Sequence, residues 1–174
     1  STEGQAATFV YVDGTEGWIN VQETSNSVAG RGFISATGGT ITTCGNFKIH
    51  TFTGPGTFCV SSISSVAAEN TVGYLVVGGG GGGTGTLGGG AGGGGFREGR
   101  NAPIDNFTAS PLVANAPTNA VTITATAFPI TVGGGGPGAT DPGTNGSNSI
   151  FSTITSAGGG GGGRGAGQPG SGGN

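Results

Sequence analysis

The sequence predicts an all-β protein, a small β-sandwich or meander combined with glycine-rich polyproline II strands and no significant helix. No apolar pattern with helical spacing persists over the roughly 11 residues that indicate an amphipathic helix. Short runs rich in Thr, Val, Ile and Phe, typical of strands, recur along the chain. In addition, 44 of the 174 residues are glycine, and many of them stand in uninterrupted blocks.

The strand-like runs lie between Gly, Pro, Asn and Ser residues, which favour turns. They predict strands over residues 8–12, 18–22, 32–36, 40–44, 47–53, 56–61, 71–77, 120–125, 128–132 and 149–155. Residues 45–46 and 54–56 predict hairpin turns, so the central strands are expected to form a meander. Side-chain alternation there places Phe58 and Val60 on one face and Cys59 on the other.

The glycine blocks span residues 78–83, 88–95 with one alanine, 133–136 and 158–163. Their composition alone is also typical of a flexible linker. Alternatively, glycine chains order as polyproline II helices with three residues per turn, packed closely through N–H···O bonds. We expect this ordered form, supported by apolar burial from flanking strands or from other copies of the chain.

The chain is poorly charged, with 5 Lys and Arg, 8 Asp and Glu, and a formal net charge of −3. Nucleic-acid binding needs a basic surface, so no nucleic-acid partner is expected. No apolar run approaches the roughly 18 residues that a membrane helix requires, and we expect no membrane insertion.

Two parts of the chain are predicted. Residues 1–36 form an N-terminal strand and assembly segment, and residues 37–174 form a glycine-rich β and polyproline II domain. The apolar run at the start is a candidate for strand exchange with the sheet edge of a neighbouring subunit. It consists of Ala7, Thr8, Phe9, Val10, Tyr11 and Val12.

Catalytic chemistry is not indicated. His50 is the only histidine, and no motif places a nucleophile beside it, so it is interpreted as structural. Two cysteines and one histidine cannot complete a four-ligand zinc site. We therefore expect no catalytic residues, no metal site, no cofactor and no enzymatic activity.

One dense charge cluster occurs at Phe96, Arg97, Glu98 and Arg100. It is interpreted as a solvated loop tip, with contact to a surface glycan or an adjacent subunit as the functional alternative. Two Asn-x-Ser/Thr sequons, at Asn106 and Asn145, are candidate glycosylation sites if the chain reaches a compartment that modifies them.

Several segments together resemble a known family. Residues 36–60, 73–83, 96–98, 107–112, 128–136 and 145–158 are similar to the glycine-rich domain of phage tail-fibre and other virion structural proteins, especially those of cyanophages. The resemblance implies a β-rich module in extracellular or virion assemblies, often trimeric or fibrous, for structure or host attachment.

In that oxidising setting the even cysteine count suggests a disulfide between Cys44 and Cys59. Separate thiols and an inter-subunit bridge remain open alternatives. The expected function is a non-enzymatic structural protein that self-assembles outside the cell, with itself as partner. The alternative is a receptor-binding adhesin that recognises a host surface glycan or protein.

Overall fold

The computed structural model describes residues 9–12, 14–15, 17–20, 32–85, 88–101, 105, 107–108, 119–138 and 142–164. In these ranges the chain forms short antiparallel strands and one 3-10 turn, η1, at Ala67–Glu69. The strands are β1 Phe9–Tyr11, β2 Trp18–Asn20, β3 Ser35–Thr37, β4 Thr40–Cys44, β5 Phe47–Thr51, β6 Gly56–Ser62, β7 Thr71–Val72, β8 Tyr74–Val77, β9 Phe96–Gly99, β10 Val121–Thr122, β11 Ala127–Thr131, β12 Ser149–Phe151 and β13 Ile154–Ser156. The all-β prediction is confirmed.

The largest sheet has five strands in the order β13-β12-β11-β6-β3. One of its faces is apolar because alternate residues of each strand point to the same side. Phe58 and Val60 are buried on that face while Cys59 between them is exposed, as the alternation predicts. The Phe151 ring meets the Phe58 ring edge-to-face at 6.2 Å and joins the same core.

A second apolar layer covers this face. Strands β8 and β9 pair antiparallel, and so do β7 and β10. Ile123, which follows β10, is 1% exposed, and Tyr74 of β8 packs against Phe151 with ring centroids 6.4 Å apart. The described core is therefore a small sandwich, with Ala36, Phe58, Val60, Ile123 and Phe151 as its buried apolar residues.

The hairpin predicted at residues 45–46 is present, since β4 pairs with β5 across that turn and Gly45 has φ +57°. The hairpin predicted at residues 54–56 is wrong. Strand β6 pairs with β3 and β11 instead of β5. The reason lies in Gly38 and Gly39, with φ +111° and +64°, where the chain leaves β3 and the β4–β5 hairpin branches off the main sheet.

Three further elements differ from the prediction. Residues 71–77 form two strands with different partners, β7 and β8, instead of one. Residues 149–155 form the hairpin β12–β13, because Ser152 turns the chain with φ +53°. Residues 96–99, predicted as part of a loop tip, form β9.

The N-terminal part contains a hairpin in which β1 pairs with β2. The predicted boundary between residues 36 and 37 falls inside β3, which pairs with β6. Within the described ranges, no helix has the length and hydropathy needed to cross a membrane.

Candidate functional site: a bundle of glycine segments

Five extended segments without β pairing carry most of the glycine of the described chain. We call them segment I (residues 78–83), segment II (88–95), segment III (133–138), segment IV (142–148) and segment V (157–163). Strand β8 leads into segment I, β9 follows segment II, and β13 leads into segment V. The sandwich strands therefore fix where the glycine segments begin or end.

Hydrogen bonds between segments I and II repeat every three residues. The N–H groups of Gly78 and Gly81 donate to the carbonyls of Gly95 and Gly92, both at 2.9 Å. The two segments run antiparallel, since the donor number rises as the acceptor number falls. A repeat of three residues is that of the polyproline II helix, in which every third residue faces the same side.

The next residues of segment I face another neighbour with the same period. Gly79 and Gly82 donate to the carbonyls of Ser147 and Thr144 in segment IV, at 2.9 and 2.8 Å. Their own carbonyls accept N–H groups from segment V. Segment I thus uses one side of its threefold helix for segment II and another for segments IV and V.

The five segments form two layers. Segment I bonds to all four others, and II bonds to V, V to IV, and IV to III. The four neighbours therefore follow one another around segment I in the order II, V, IV, III. Segments II and III lie on opposite sides of segment I and form one layer with it. Segments IV and V form a second layer on one face of the first. The remaining bonds, from 2.7 to 3.0 Å, are Gly89→Gly163, Gly92→Gly160, Gly95→Ala157, Gly136→Gly80, Gly143→Gly162, Gly146→Gly159, Ser147→Gly134, Gly159→Gly79 and Gly162→Gly82.

Close approach of the segments explains why their facing residues are glycine. A Cβ on Gly81 would overlap the carbonyl oxygen of Gly160, and a Cβ on Gly82 would overlap that of Pro137. By contrast, a Cβ on Gly83 would meet nothing within 4 Å, and one on Gly80 would lie 3.9 Å from the nearest atom. One side of segment I therefore faces away from the other segments.

Polar side chains supply hydrogen bonds at the rim of the bundle. The Asn145 and Asn148 side-chain oxygens accept the N–H groups of Gly161 and Gly158, at 2.7 and 2.9 Å. The Ser149 hydroxyl accepts the Gly133 N–H at 2.9 Å. These hydrogen bonds are not predicted from the sequence, in which Asn145 is a candidate glycosylation site. The spacing of three between the two asparagines was the available signal.

The predicted surface cluster is only partly exposed. Phe96, Glu98 and Arg100 are half-buried, and Arg97 is exposed. The Arg100 guanidinium donates to the Phe107 carbonyl at 3.1 Å. Burial raises the pKa of the neighbouring Tyr74 hydroxyl, against a smaller lowering by the Arg97 charge.

Cys44 and Cys59 are both exposed free thiols in this structure, so the suggested disulfide between them is not formed. Cys44 ends β4 of the side hairpin, whereas Cys59 lies in β6 of the main sheet. The different sheets separate residues that a meander would place on neighbouring strands. An inter-subunit bridge remains a prediction.

His50 has a structural environment. Its Nδ1 lies 2.8 Å from the Gly38 carbonyl oxygen, and its ring meets the Phe58 ring edge-to-face at 5.0 Å. These contacts tie the β4–β5 hairpin to the sandwich. In the part of the chain that the structure describes, no three His, Cys, Asp or Glu side chains lie close enough to hold a metal ion.

The strand-exchange candidate lies partly in the described chain. Val10, Tyr11 and Val12 are exposed, and the Tyr11 ring stands 5.5 Å from the Trp18 ring across the β1–β2 pair. Strand β1 also includes Phe9. Ala7, Thr8 and the candidate glycosylation site Asn106 lie outside the described residues.

Comparison with known families gives one match. The model of a family described as a glycine-rich domain matches residues 51–174. No curated protein and no solved structure matches the chain. The matched range includes all five glycine segments and the strands β6–β13.

Proposed function

The chain belongs to the glycine-rich domain family, and from this premise we propose that it is a non-enzymatic structural protein. It self-assembles outside the cell, as a component of a phage tail fibre or of a related extracellular filament. Its main partner is a further copy of itself.

The observation that carries the proposal is the bundle of segments I to V. Its interior consists of main chain, and its order depends on hydrogen bonds that repeat every three residues. Such a bundle supplies a rigid rod-like element without functional side chains in its interior. Rigidity is a property that a fibre component needs, whereas a catalytic site needs reactive side chains in reach of each other.

A second observation supports self-assembly. The buried apolar core of the described chain is small, and large apolar side chains remain exposed, among them Trp18 at 64%, Phe33 at 70% and Leu75 at 61%. Burial of such side chains against other copies adds about 25 cal/mol per Å² of apolar surface. Association of this kind also raises the apparent stability of a small fold.

The proposed location depends on the resemblance of several segments, including residues 36–60 and 128–136, to phage tail-fibre and virion proteins. The low charge and high glycine content fit a structural protein of a particle or filament.

Electron microscopy of the purified full chain tests the proposal, together with sedimentation velocity over a range of concentrations. We expect regular filaments or short multimeric needles. A stably folded, monodisperse monomer at micromolar concentration would contradict it.

A receptor-binding adhesin is the second candidate, favoured by the exposed Tyr11 and Trp18 rings and the exposed Arg97. Aromatic faces stack on sugars, and an arginine pairs with carboxylate groups of acidic glycans or proteins. In this case the glycine bundle acts as the scaffold that presents these side chains to a host surface glycan or protein.

Glycan-array binding distinguishes this candidate. Loss of binding in both Arg97→Ala and Trp18→Ala, with an unchanged melting temperature, supports the adhesin. The matched control is Lys48→Ala, which removes a positive charge from an exposed position on the β4–β5 hairpin. Binding that is equal in all four proteins, or absent in the unmodified chain, speaks against it.

A further inference from the structure

The layer formed by segments III, I and II is covered on one face only. Segments IV and V lie on that face. On the opposite face, which we call the open glycine face, a Cβ on Gly83 would meet nothing within 4 Å. Among glycines of segments II and III, a Cβ on Gly90, Gly93 or Gly134 would also meet nothing.

Hydrogen-bonding groups of segment I are unused at this face. Among the described residues, the N–H groups of Gly80 and Gly83 donate to no partner, whereas those of the other four glycines in the segment all donate to a neighbouring segment. The Gly81 carbonyl accepts no N–H group. The two free N–H groups lie three residues apart, or about 9 Å along a polyproline II helix.

Exposed apolar side chains lie in β8, directly before segment I. Val77 lies three residues before Gly80 and is 51% exposed, and Leu75 two residues earlier is 61% exposed. No charged residue belongs to segments I, II or III. A partner therefore has no charge to desolvate when it covers these segments.

We propose that the open glycine face of one chain packs against the open glycine face of a second copy. This inference rests on the proposed self-assembly and identifies its contact surface. Free N–H groups of one face donate to free carbonyls of the other, and Leu75 and Val77 become buried beside them.

The chemistry of the face favours a second copy over other partners. A strand bearing side chains would be held away by its own Cβ atoms, whereas a glycine segment approaches to hydrogen-bonding distance, as segments I to V do among themselves. The matching partner must also offer acceptors for two N–H groups three residues apart and a donor for the Gly81 carbonyl. The same face of another copy meets both requirements.

The test uses the full chain with Gly80→Ala and Gly83→Ala combined. Both added methyl groups enter open space in the monomer but stand between two packed faces. We expect the association constant from sedimentation velocity to fall at least about tenfold, while the melting temperature of the dilute protein stays unchanged. Gly54→Ala is the control, because its Cβ also meets nothing within 4 Å but lies in the β5–β6 connection.

Amide hydrogen exchange gives a second readout. We expect exchange at residues 80 and 83 to slow when the unmodified protein associates and to stay fast in the double variant. If the unmodified chain associates and the double variant does so with an equal constant, the contact surface is wrong while the proposed function stands. If the unmodified chain never associates, the proposed function and this inference both fail.

Discussion

Ser152 shows how a single residue decides an element. It is the only non-glycine residue with positive φ in the described chain, at +53°, and it turns β12 into β13. This backbone conformation costs most L-residues about 1–2 kcal/mol. The Ser152 side chain is exposed, so replacing it with glycine removes the backbone strain without leaving a cavity.

We expect Ser152→Gly to raise the free energy of unfolding by up to about 1 kcal/mol, because glycine adopts positive φ without strain but loses more backbone entropy on folding. Chemical denaturation measures the change. Thr153→Gly at the neighbouring turn position, where φ is not positive, should lower stability by about 0.5–1 kcal/mol. Two substitutions of the same sign would contradict the assigned turn geometry.

Two paired serines on β12 and β13 have opposite roles. Ser156 is fully buried and its hydroxyl has no hydrogen-bond partner, whereas the Ser149 hydroxyl accepts the Gly133 N–H. Ser156→Ala is expected to leave stability unchanged or raise it by about 1 kcal/mol, since it removes an unpaired buried group. Ser149→Ala should lower it by about 1–2 kcal/mol because Gly133 loses its acceptor.

Thermal unfolding of these two variants, measured side by side, checks the assignment. Their positions face each other across the hairpin, so the surroundings are closely matched. Equal losses would mean that the Ser156 hydroxyl has a stabilising partner in solution.

At the scale of elements, the glycine segments behave as a packed interior made of backbone. Which glycines are essential depends on the direction that each residue faces in the threefold helix. A Cβ on Gly81 would overlap the Gly160 carbonyl oxygen of segment V, whereas one on Gly83 would meet nothing within 4 Å, although both residues belong to segment I and are chemically identical. Composition does not distinguish them, but the hydrogen-bond period does.

We expect Gly81→Ala to lower the free energy of unfolding by about 3 kcal/mol or more, because its Cβ overlaps a main-chain carbonyl that cannot rotate away. Gly83→Ala should change the free energy of unfolding by less than about 1 kcal/mol. Any change should be an increase, because alanine makes the unfolded chain less flexible. Urea unfolding of dilute protein measures both. Equal effects would contradict the threefold packing of segment I.

At the scale of the whole molecule, we propose two contact surfaces for assembly: the open glycine face and the N-terminal strand segment. In the proposed assembly, paired faces join two copies, and strand exchange through residues 7–12 links such pairs further. The exposed apolar side chains on β1 and β8 fit this division, since they lie in two separate two-stranded sheets.

Deletion of residues 1–12 is expected to prevent filament growth and leave particles of two copies. The melting temperature of the remaining chain should change little, because the sandwich core contains none of the deleted residues. Electron microscopy and sedimentation velocity record the particle size. Unchanged polymerisation would exclude the strand-exchange route.

The sequence by itself determined the local features of this protein. The hairpin at residues 45–46 and the opposite faces of Phe58 and Cys59 depend on turn chemistry and on the two-residue period of a strand, which neighbouring residues specify. The all-β class and the family of the glycine-rich domain follow from the same short-range patterns.

Only the tertiary structure decided which distant segments meet. β9 was missed because residues 96–99 lack strand alternation and become a strand by pairing with β8. The β3–β6 pairing and the two layers of glycine segments join residues far apart in the chain. Glycine has no side chain whose polarity could indicate whether it lies inside or outside. Packing of the whole bundle therefore decides that Gly81 lies against segment V and that Gly83 does not.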